Sequence, residues 1–180
     1  LQAVLEELRP QLLGLRIDKV QQPARDQVIL LLRGNRRLLL NAGANAPRIQ
    51  LTELLRDNPA EPPMFCMLLR KHLVGARVAD LYQPPLERLV KLELDITDDF
   101  GRPGRRTLIL EAMGRRSNLI LLDEEGRIID CLRRVDADMS AARQVLPGLY
   151  YQMPESTGRT PVTEETEDGF REKLACADQE

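Results

Sequence analysis

Two short polar clusters hold the side chains best suited to contact an anionic ligand. Glu87 and Arg88 open the predicted strand ERLVKLELDIT, and residues 113–118 (MGRRSN) join two further predicted strands. The second cluster offers two guanidiniums, a hydroxyl and an amide, which are groups that contact nucleic-acid backbones. Strand ends and turns often carry binding residues, because a rigid scaffold positions them there. The sequence therefore predicts backbone-binding residues at Glu87, Arg88, Arg115, Arg116, Ser117 and Asn118.

Each cluster also has an ordinary structural explanation. Strict alternation puts Arg88 in phase with Val90 and Leu92, so its aliphatic stem could simply cover the rim of the core. Residues 113–118 could be a common polar hairpin turn. Arg70 and Lys71, neighbours on a predicted helix, are a third candidate with the same ambiguity. Spacing alone leaves these alternatives open.

Residue types that support catalysis or metal binding are sparse. His72 is the single histidine, and the three cysteines, Cys66, Cys131 and Cys176, have neither disulfide-framework nor zinc-site spacing. Cys66 and Cys131 fall on apolar segments and are best explained as small core residues. Glycine loops of the Walker or Rossmann type are missing from the sequence. We therefore predict no enzyme activity, no metal, no cofactor and no small-molecule substrate.

Composition limits the class of protein. The 180 residues are 43% apolar and 30% charged, with 26 Lys+Arg against 28 Asp+Glu. A net charge of -2 lacks the strong basic footprint of a dedicated nucleic-acid binder, so local clusters must carry any such contact. At 3% aromatic residues, a base-stacking platform is not expected. Without a long apolar run or a leader, we expect a cytoplasmic protein that makes no membrane contact.

Periodicity predicts helices and strands that would position these clusters. Helical spacing of apolar residues covers residues 1–13 and 64–74, each followed by a glycine. Strands are predicted after each helix, at residues 16–21, 27–33, 37–41 and 48–51 in the first half and at residues 78–83, 87–97, 107–113, 118–123 and 127–135 in the second.

The two halves align at a constant offset of 61 residues. Gly14 matches Gly75 and Arg16 matches Arg77, and the same register holds for Leu8 and Leu69, Arg9 and Arg70, Leu12 and Leu73, Gln22 and Gln83, and Pro23 and Pro84. We predict an α+β fold in which two helix-plus-β-meander halves pack as a β-sandwich or half-barrel. Chance similarity between two helix–glycine–strand junctions is the alternative.

The end of the chain differs in composition from the rest. Residues 155–168 are rich in Thr, Glu, Pro and Gly, and residues 168–177 have a helical pattern. We predict a folded domain at residues 1–154, then an acidic linker and the start of a following helical domain at residues 155–180. Because the chain begins at Leu1 and stops in charged sequence, it is expected to be a piece of a longer protein.

Several strings resemble a known family. PPMFCMLLRKHL at 62–73, GRRSNLILLD at 114–123 with IID at 128–130, and LPGLYY at 146–151 look like the N-terminal (NFACT-N) domain of the RqcH/NEMF family. Its bacterial members were long called fibronectin-binding protein A. The resemblance covers about residues 1–154. It implies a fold similar to the N-terminal domain of formamidopyrimidine-DNA glycosylase.

The resemblance also implies a function. Such proteins act in ribosome-associated quality control: they bind a large ribosomal subunit with stalled peptidyl-tRNA and bring in tRNA, with alanyl-tRNA expected. Alanine or other residues are then added to the stalled chain without mRNA. The family's Asp-Arg pair, important for tRNA binding, aligns with Glu87 and Arg88, and its Gly-Arg-His-Ser-Asn motif aligns with residues 114–118, where Arg116 replaces the histidine. We expect Arg88 to contact the tRNA backbone and Glu87 to orient Arg88 or a neighbouring cation.

Two other classes of function stay open. A surface adhesin that binds fibronectin would need export, and no leader is visible in the sequence. A DNA glycosylase of the similar fold needs an N-terminal proline amine as its nucleophile, whereas Pro10 is internal.

Overall fold

The computed structural model describes residues 2–44, 47–53, 60–85 and 87–154. The first half contains one helix and four strands: α1 (Gln2–Leu12), β1 (Ile17–Ala24), β2 (Gln27–Leu32), β3 (Arg36–Asn41) and β4 (Arg48–Leu51). The second half contains a helix and five strands: α2 (Met64–Leu73), β5 (Arg77–Tyr82), β6 (Leu89–Thr97), β7 (Pro103–Glu111), β8 (Asn118–Leu122) and β9 (Ile128–Cys131). The predicted linker and helix of residues 155–180, and Cys176, lie outside the described residues.

Each half forms an antiparallel meander in sequence order. The first sheet has the order β1-β2-β3-β4 and the second the order β5-β6-β7-β8-β9. This arrangement confirms the predicted α+β fold of two helix-plus-meander halves. Short turns suit an antiparallel meander, as at Gly34 between β2 and β3 and at Gly126 between β8 and β9, where the backbone φ is +88° and +85°.

The halves are related by a pseudo-two-fold arrangement of hydrogen bonds. The Gly14 N–H donates to the Val78 carbonyl at 2.8 Å, and the equivalent Gly75 N–H donates to the Ile17 carbonyl at 2.8 Å. Val78 lies 61 residues after Ile17, so the offset seen in the sequence is also the symmetry of the contact. Gly14 and Gly75 end their helices with φ of +82° and +91°, a backbone conformation that glycine adopts most easily.

One large core lies between the helices and the two sheets. Helix α1 packs on β5 and β4, whereas α2 packs on β1, β6 and β9, so each helix contacts the sheet of the opposite half. Both halves contribute fully buried residues to this core, including Leu12, Leu30, Leu69 and Leu92. Neither meander could bury its apolar face alone, which explains why the halves fold together.

A second, smaller core lies on the other face of the second sheet. Leu89, Ile109 and Ile120 from β6, β7 and β8 pack there with Val145. Residues after β9 fold back over this face and form a bridge between Val135 and Val145. As a result β6 begins with buried residues on both faces, Leu89 and Val90, instead of having one apolar and one polar face throughout.

Several strand ends differ from the sequence prediction. Strand β6 begins at Leu89 instead of Glu87. Before it, Gln83 Nε2 donates to the Glu87 carbonyl at 2.6 Å, and the Glu87 N–H donates to the Pro84 carbonyl at 3.2 Å. Strand β7 begins at Pro103 and ends at Glu111, where a buried side-chain network starts. Strand β9 ends at Cys131, after which the chain leaves the sheet to cover the second core.

Candidate nucleic-acid interface

Antiparallel pairing brings the two main predicted clusters to one end of the second sheet. Leu89 at the start of β6 pairs with Glu111 at the end of β7, and Glu111 pairs with Asn118 at the start of β8. The Ala112 N–H donates to the Arg88 carbonyl at 2.8 Å. Residues 87–88 therefore lie beside the segment that enters the 113–118 turn.

Arg88 places an exposed cation at this end of the sheet. Its side chain is exposed, whereas Leu89 and Val90 directly after it are buried. Within the described part of the chain, the Arg88 guanidinium makes no hydrogen bond and no ion pair. Glu87 is half-buried, and its charge acts on Tyr151. Arg88 is thus available to an external ligand and is not consumed in covering the core.

The turn itself is a short 3-10 helix at Gly114–Arg116. Gly114 has a φ of +58°, which allows the chain to turn sharply after Met113. Arg115 and Arg116 are exposed, and neither guanidinium has a partner among the residues that the structure describes. Three unpartnered guanidiniums, those of Arg88, Arg115 and Arg116, therefore lie on neighbouring strand ends.

Ser117 and Asn118 are placed differently from the two arginines. Ser117 is fully buried, and its Oγ accepts a hydrogen bond from the Met113 N–H at 3.0 Å. Asn118 is 3% exposed; its Oδ1 accepts from the Arg133 N–H at 2.9 Å, and its Nδ2 donates to the Arg133 carbonyl at 2.8 Å. Because these polar atoms are used within the protein, both residues hold the turn in place.

The remaining predicted pair lies on α2. Arg70 and Lys71 are exposed near the helix end, and Arg70 Nε donates to the Val20 carbonyl of β1 at 2.9 Å. No hydrogen bond or ion pair in the described ranges joins this pair to the 113–118 turn. His72 beside it is half-buried, and burial, with Arg106 and Lys71 nearby, lowers its pKa.

Beneath the interface lies a buried polar network that the sequence analysis did not find. Glu111 is 1% exposed; both of its oxygens accept from the Arg143 guanidinium, and its Oε2 also accepts from the Tyr151 hydroxyl at 2.6 Å. Burial and the Glu111 charge raise the pKa of Tyr151, which keeps the hydroxyl protonated as a donor. A single acidic residue in the apolar run TLILEAM was the available signal.

A second cation missed by the sequence analysis is Arg133. Its Nη1 donates to the Arg115 carbonyl at 2.6 Å, and its Nη2 donates to Asp26 Oδ1 of the first half at 3.1 Å. The sequence predicted a strand over residues 127–135, and Arg133 near the end of that strand carried no sign of these contacts.

Chemistry other than anion binding has little support in the described residues. Cys66 and Cys131 are buried free thiols, as predicted, and burial raises the pKa of Cys131 to about 12. Among the residues that the structure describes, no group of three or more His, Cys, Asp or Glu could hold a metal ion. The described helices also include none long and apolar enough to cross a membrane.

Comparison with known proteins identifies the family. Residues 1–180 match the family model described as NFACT N-terminal and middle domains. The chain belongs to the NFACT family. This membership confirms the resemblance found in the sequence.

NFACT relatives carry names from ribosome quality control. The chain is 38% identical over 173 residues to the Rqc2 homolog RqcH of Bacillus subtilis, covering 94% of this chain and 30% of that protein. It is 30% identical over 136 residues to human ribosome quality control complex subunit NEMF, covering 74% of this chain and 12% of NEMF. The chain thus spans less than a third of the length of these relatives.

Solved NFACT structures share the fold. The N-terminal domain of fibronectin-binding protein PavA from Streptococcus pneumoniae matches with a TM-score of 0.83 at 34% identity, covering 96% of this chain and 66% of that one. The N-terminal part of the fibronectin/fibrinogen-binding protein from Streptococcus suis matches with a TM-score of 0.84, also at 34% identity and with the same coverage.

Proposed function

We propose that this chain is the tRNA- and large-subunit-binding module of a cytoplasmic ribosome-associated quality control factor. The whole factor would bind a large ribosomal subunit with stalled peptidyl-tRNA and support alanine tailing of the stalled chain without mRNA. Membership of the NFACT family and the names of the relatives support the ribosomal role. In this proposal the chain is not an enzyme; it positions RNA, and catalysis of peptide transfer belongs to the ribosome.

One observation carries the RNA contact. The guanidiniums of Arg88, Arg115 and Arg116 are exposed at one end of the second sheet and lack partners among the described residues. By contrast, the guanidiniums of Arg133 and Arg143 bond carboxylates within the protein. A guanidinium offers planar, paired donors that match phosphate geometry. We assign these three residues to the tRNA backbone.

The supporting residues have separate roles in this proposal. Glu87 is half-buried beside Arg88 and orients it or a neighbouring cation. Ser117 and Asn118 fix the turn that presents Arg115 and Arg116. Arg70 and Lys71 would form a separate contact on α2, on RNA of the tRNA or the ribosome. The net charge of -2 predicts that this part of the protein binds RNA weakly when isolated.

Sequencing the RNA that co-purifies with the full-length protein tests the proposal. The expected result is enrichment of tRNA, with alanine tRNA foremost, together with rRNA of the large subunit. The matched control is the full-length protein with Arg88, Arg115 and Arg116 all changed to Ala, which should lose the tRNA while keeping the rRNA held by other domains. Equal tRNA recovery from both proteins would contradict the assigned site.

Fibronectin binding is the second candidate, because two similar solved structures bear that name. Immobilised fibronectin should be exposed to the same preparations after nuclease treatment. Under the RNA proposal, nuclease treatment removes any retention on fibronectin. Saturable, nuclease-resistant binding of fibronectin would favour the adhesin.

A further inference from the structure

Arg133 lies where three separated segments of the chain meet. Its Nη1 donates to the Arg115 carbonyl at 2.6 Å, and its Nη2 donates to Asp26 Oδ1 at 3.1 Å. The same Nη2 lies 3.5 Å from the Ala42 carbonyl, and the Ala42 N–H donates to the Asp26 carbonyl at 2.8 Å. One guanidinium therefore connects the arginine turn of the second half to a hydrogen-bonded corner of the first half.

The main chain of Arg133 is fixed as well as its tip. The buried Asn118 side chain accepts from its N–H at 2.9 Å and donates to its carbonyl at 2.8 Å. The Arg133 side chain is 29% exposed and that of Asp26 is 34% exposed, so the ion pair is partly shielded from water. Because both its main chain and its guanidinium are hydrogen-bonded, the Arg133 side chain has a fixed position against the turn.

Ser117 and Asn118 anchor the end of the turn, but residues 114–116 have few restraints of their own. Within Gly114–Arg116 all three residues are exposed, and its backbone bonds are those from the Arg116 N–H to Met113 and from the Ser117 N–H to Gly114. A ligand that binds two cations on a loose turn must first order it, and that ordering lowers affinity. A bond from a charged donor to the Arg115 carbonyl is stronger than a neutral one and orders the turn beforehand.

We propose that Arg133, paired with Asp26, is a positioning residue that holds Arg115 and Arg116 ready for the tRNA backbone. The inference rests on the proposed function of that turn. Both Nη atoms of Arg133 already donate to groups within the protein, so its role in this proposal is to position the turn. The tRNA site thereby depends on both halves of the fold, although its contact residues all come from the second half.

The first test measures order in the turn without any RNA. Amide hydrogen exchange at Arg116 and Ser117 should speed up by about tenfold in full-length Arg133→Ala, as for loss of one charge-assisted hydrogen bond. Asp26→Ala, at a partly exposed position, removes the carboxylate that pairs with Arg133 and should give a smaller change in the same direction. Arg134→Ala is the matched control, since Arg134 lies next to Arg133 but pairs with Asp130, at 3.5 Å, and not with Asp26. Unchanged exchange in both Arg133→Ala and Asp26→Ala overturns the inference.

The second test asks whether Arg133 acts through the turn. Arg133→Ala should weaken tRNA binding about tenfold in the natural background and have no further effect in protein carrying Arg115→Ala and Arg116→Ala. An equal loss in both backgrounds would mean that Arg133 acts directly or through general stability, and the inference fails. A different result would contradict the proposed function itself. In that case the protein carrying Arg115→Ala and Arg116→Ala would bind tRNA as tightly as the natural protein.

Discussion

Arg16 of the first half pairs with Arg77 of the second, in an antiparallel bridge at the seam between the two sheets. The two residues are equivalent positions, 61 residues apart, so each half meets its own counterpart there. On either side, the Ile17 N–H donates to Ala76 at 2.8 Å and the equivalent Val78 N–H donates to Leu15 at 2.9 Å. The seam is therefore self-complementary, like the interface of a symmetric dimer built within one chain.

Because the seam between the two sheets is symmetric, substitutions of the glycines that end the two helices should have similar effects on stability. Changing Gly14 or Gly75 to Ala should lower the free energy of unfolding by about 1–2 kcal/mol each, because both have a positive φ that a side chain disfavours. Urea denaturation measures this, with Val74→Ala as an exposed control expected to change stability by less than about 0.5 kcal/mol. A large cost at one glycine and none at the other would contradict the symmetry.

Arg88 should contribute to tRNA affinity. Arg88→Ala in the full-length protein should weaken tRNA binding by about 1–3 kcal/mol and reduce the salt slope by about one. Glu87→Asp should change little, whereas Glu87→Ala should lose part of the same effect. Filter binding over a range of salt concentrations measures these values.

Arg102→Ala is the control for Arg88, since Arg102 is exposed at the opposite end of the same strand pair, where it bonds Asp98 at 2.9 Å. Thermal unfolding of each variant separates lost contact from lost stability. A folded Arg88→Ala protein with natural tRNA affinity would remove Arg88 from the site.

The buried network should matter for stability. Arg143→Ala leaves the Glu111 carboxylate buried without its partner cation, so we expect a loss of about 3–5 kcal/mol in the free energy of unfolding. Arg127→Ala is a matched control. Arg143 lies over the Tyr151 ring at 5.4 Å and Arg127 lies over the Tyr150 ring at 5.0 Å, but Arg127 is exposed. Its cost should be far smaller than that of Arg143→Ala, because water screens an exposed guanidinium. Equal costs in urea denaturation would argue against the network.

Alkaline pH should destabilise the fold through Cys131. Burial raises the pKa of this thiol from 9.0 to about 12, so the folded state keeps a proton that the unfolded chain loses. This contribution is fully present below pH 9 and is lost as pH rises through about 12. Cys131→Ser, whose hydroxyl titrates only at much higher pH, should show a shallower loss between these values in urea denaturation. Parallel curves for the two proteins would refute the assignment.

Glycosylase activity should be undetectable. The fold expected from the family resemblance would need an N-terminal proline amine for this chemistry, and Pro10 lies inside α1. A nicking assay on duplex DNA with an oxidised purine tests the prediction, with an active glycosylase as the positive control. Strand cleavage that persists through purification would show that the chain is an enzyme after all.

The local sequence was enough to predict the elements and their pairing by halves. Apolar spacing identified both helices, the glycine after each helix marked its end, and the offset of 61 residues revealed the repeat. These features depend on local backbone preference and on burial of one face, which short segments encode directly. The strings at residues 62–73 and 114–123 likewise indicated the family by their residues alone.

Only the tertiary structure decided what the polar residues do. Arg115, Arg116, Ser117 and Asn118 are four consecutive polar residues that the sequence alone does not distinguish. Packing buried Ser117 and Asn118 and left Arg115 and Arg116 exposed. The carboxylate that pairs with Arg133 is Asp26, 107 residues away, and the one that pairs with Arg143 is Glu111, 32 residues away. Hydrogen bonds over such separations depend on how the sheets pack, which no local pattern records. The sequence therefore predicted a candidate site, and the packing of the two halves separated its exposed residues from its buried ones.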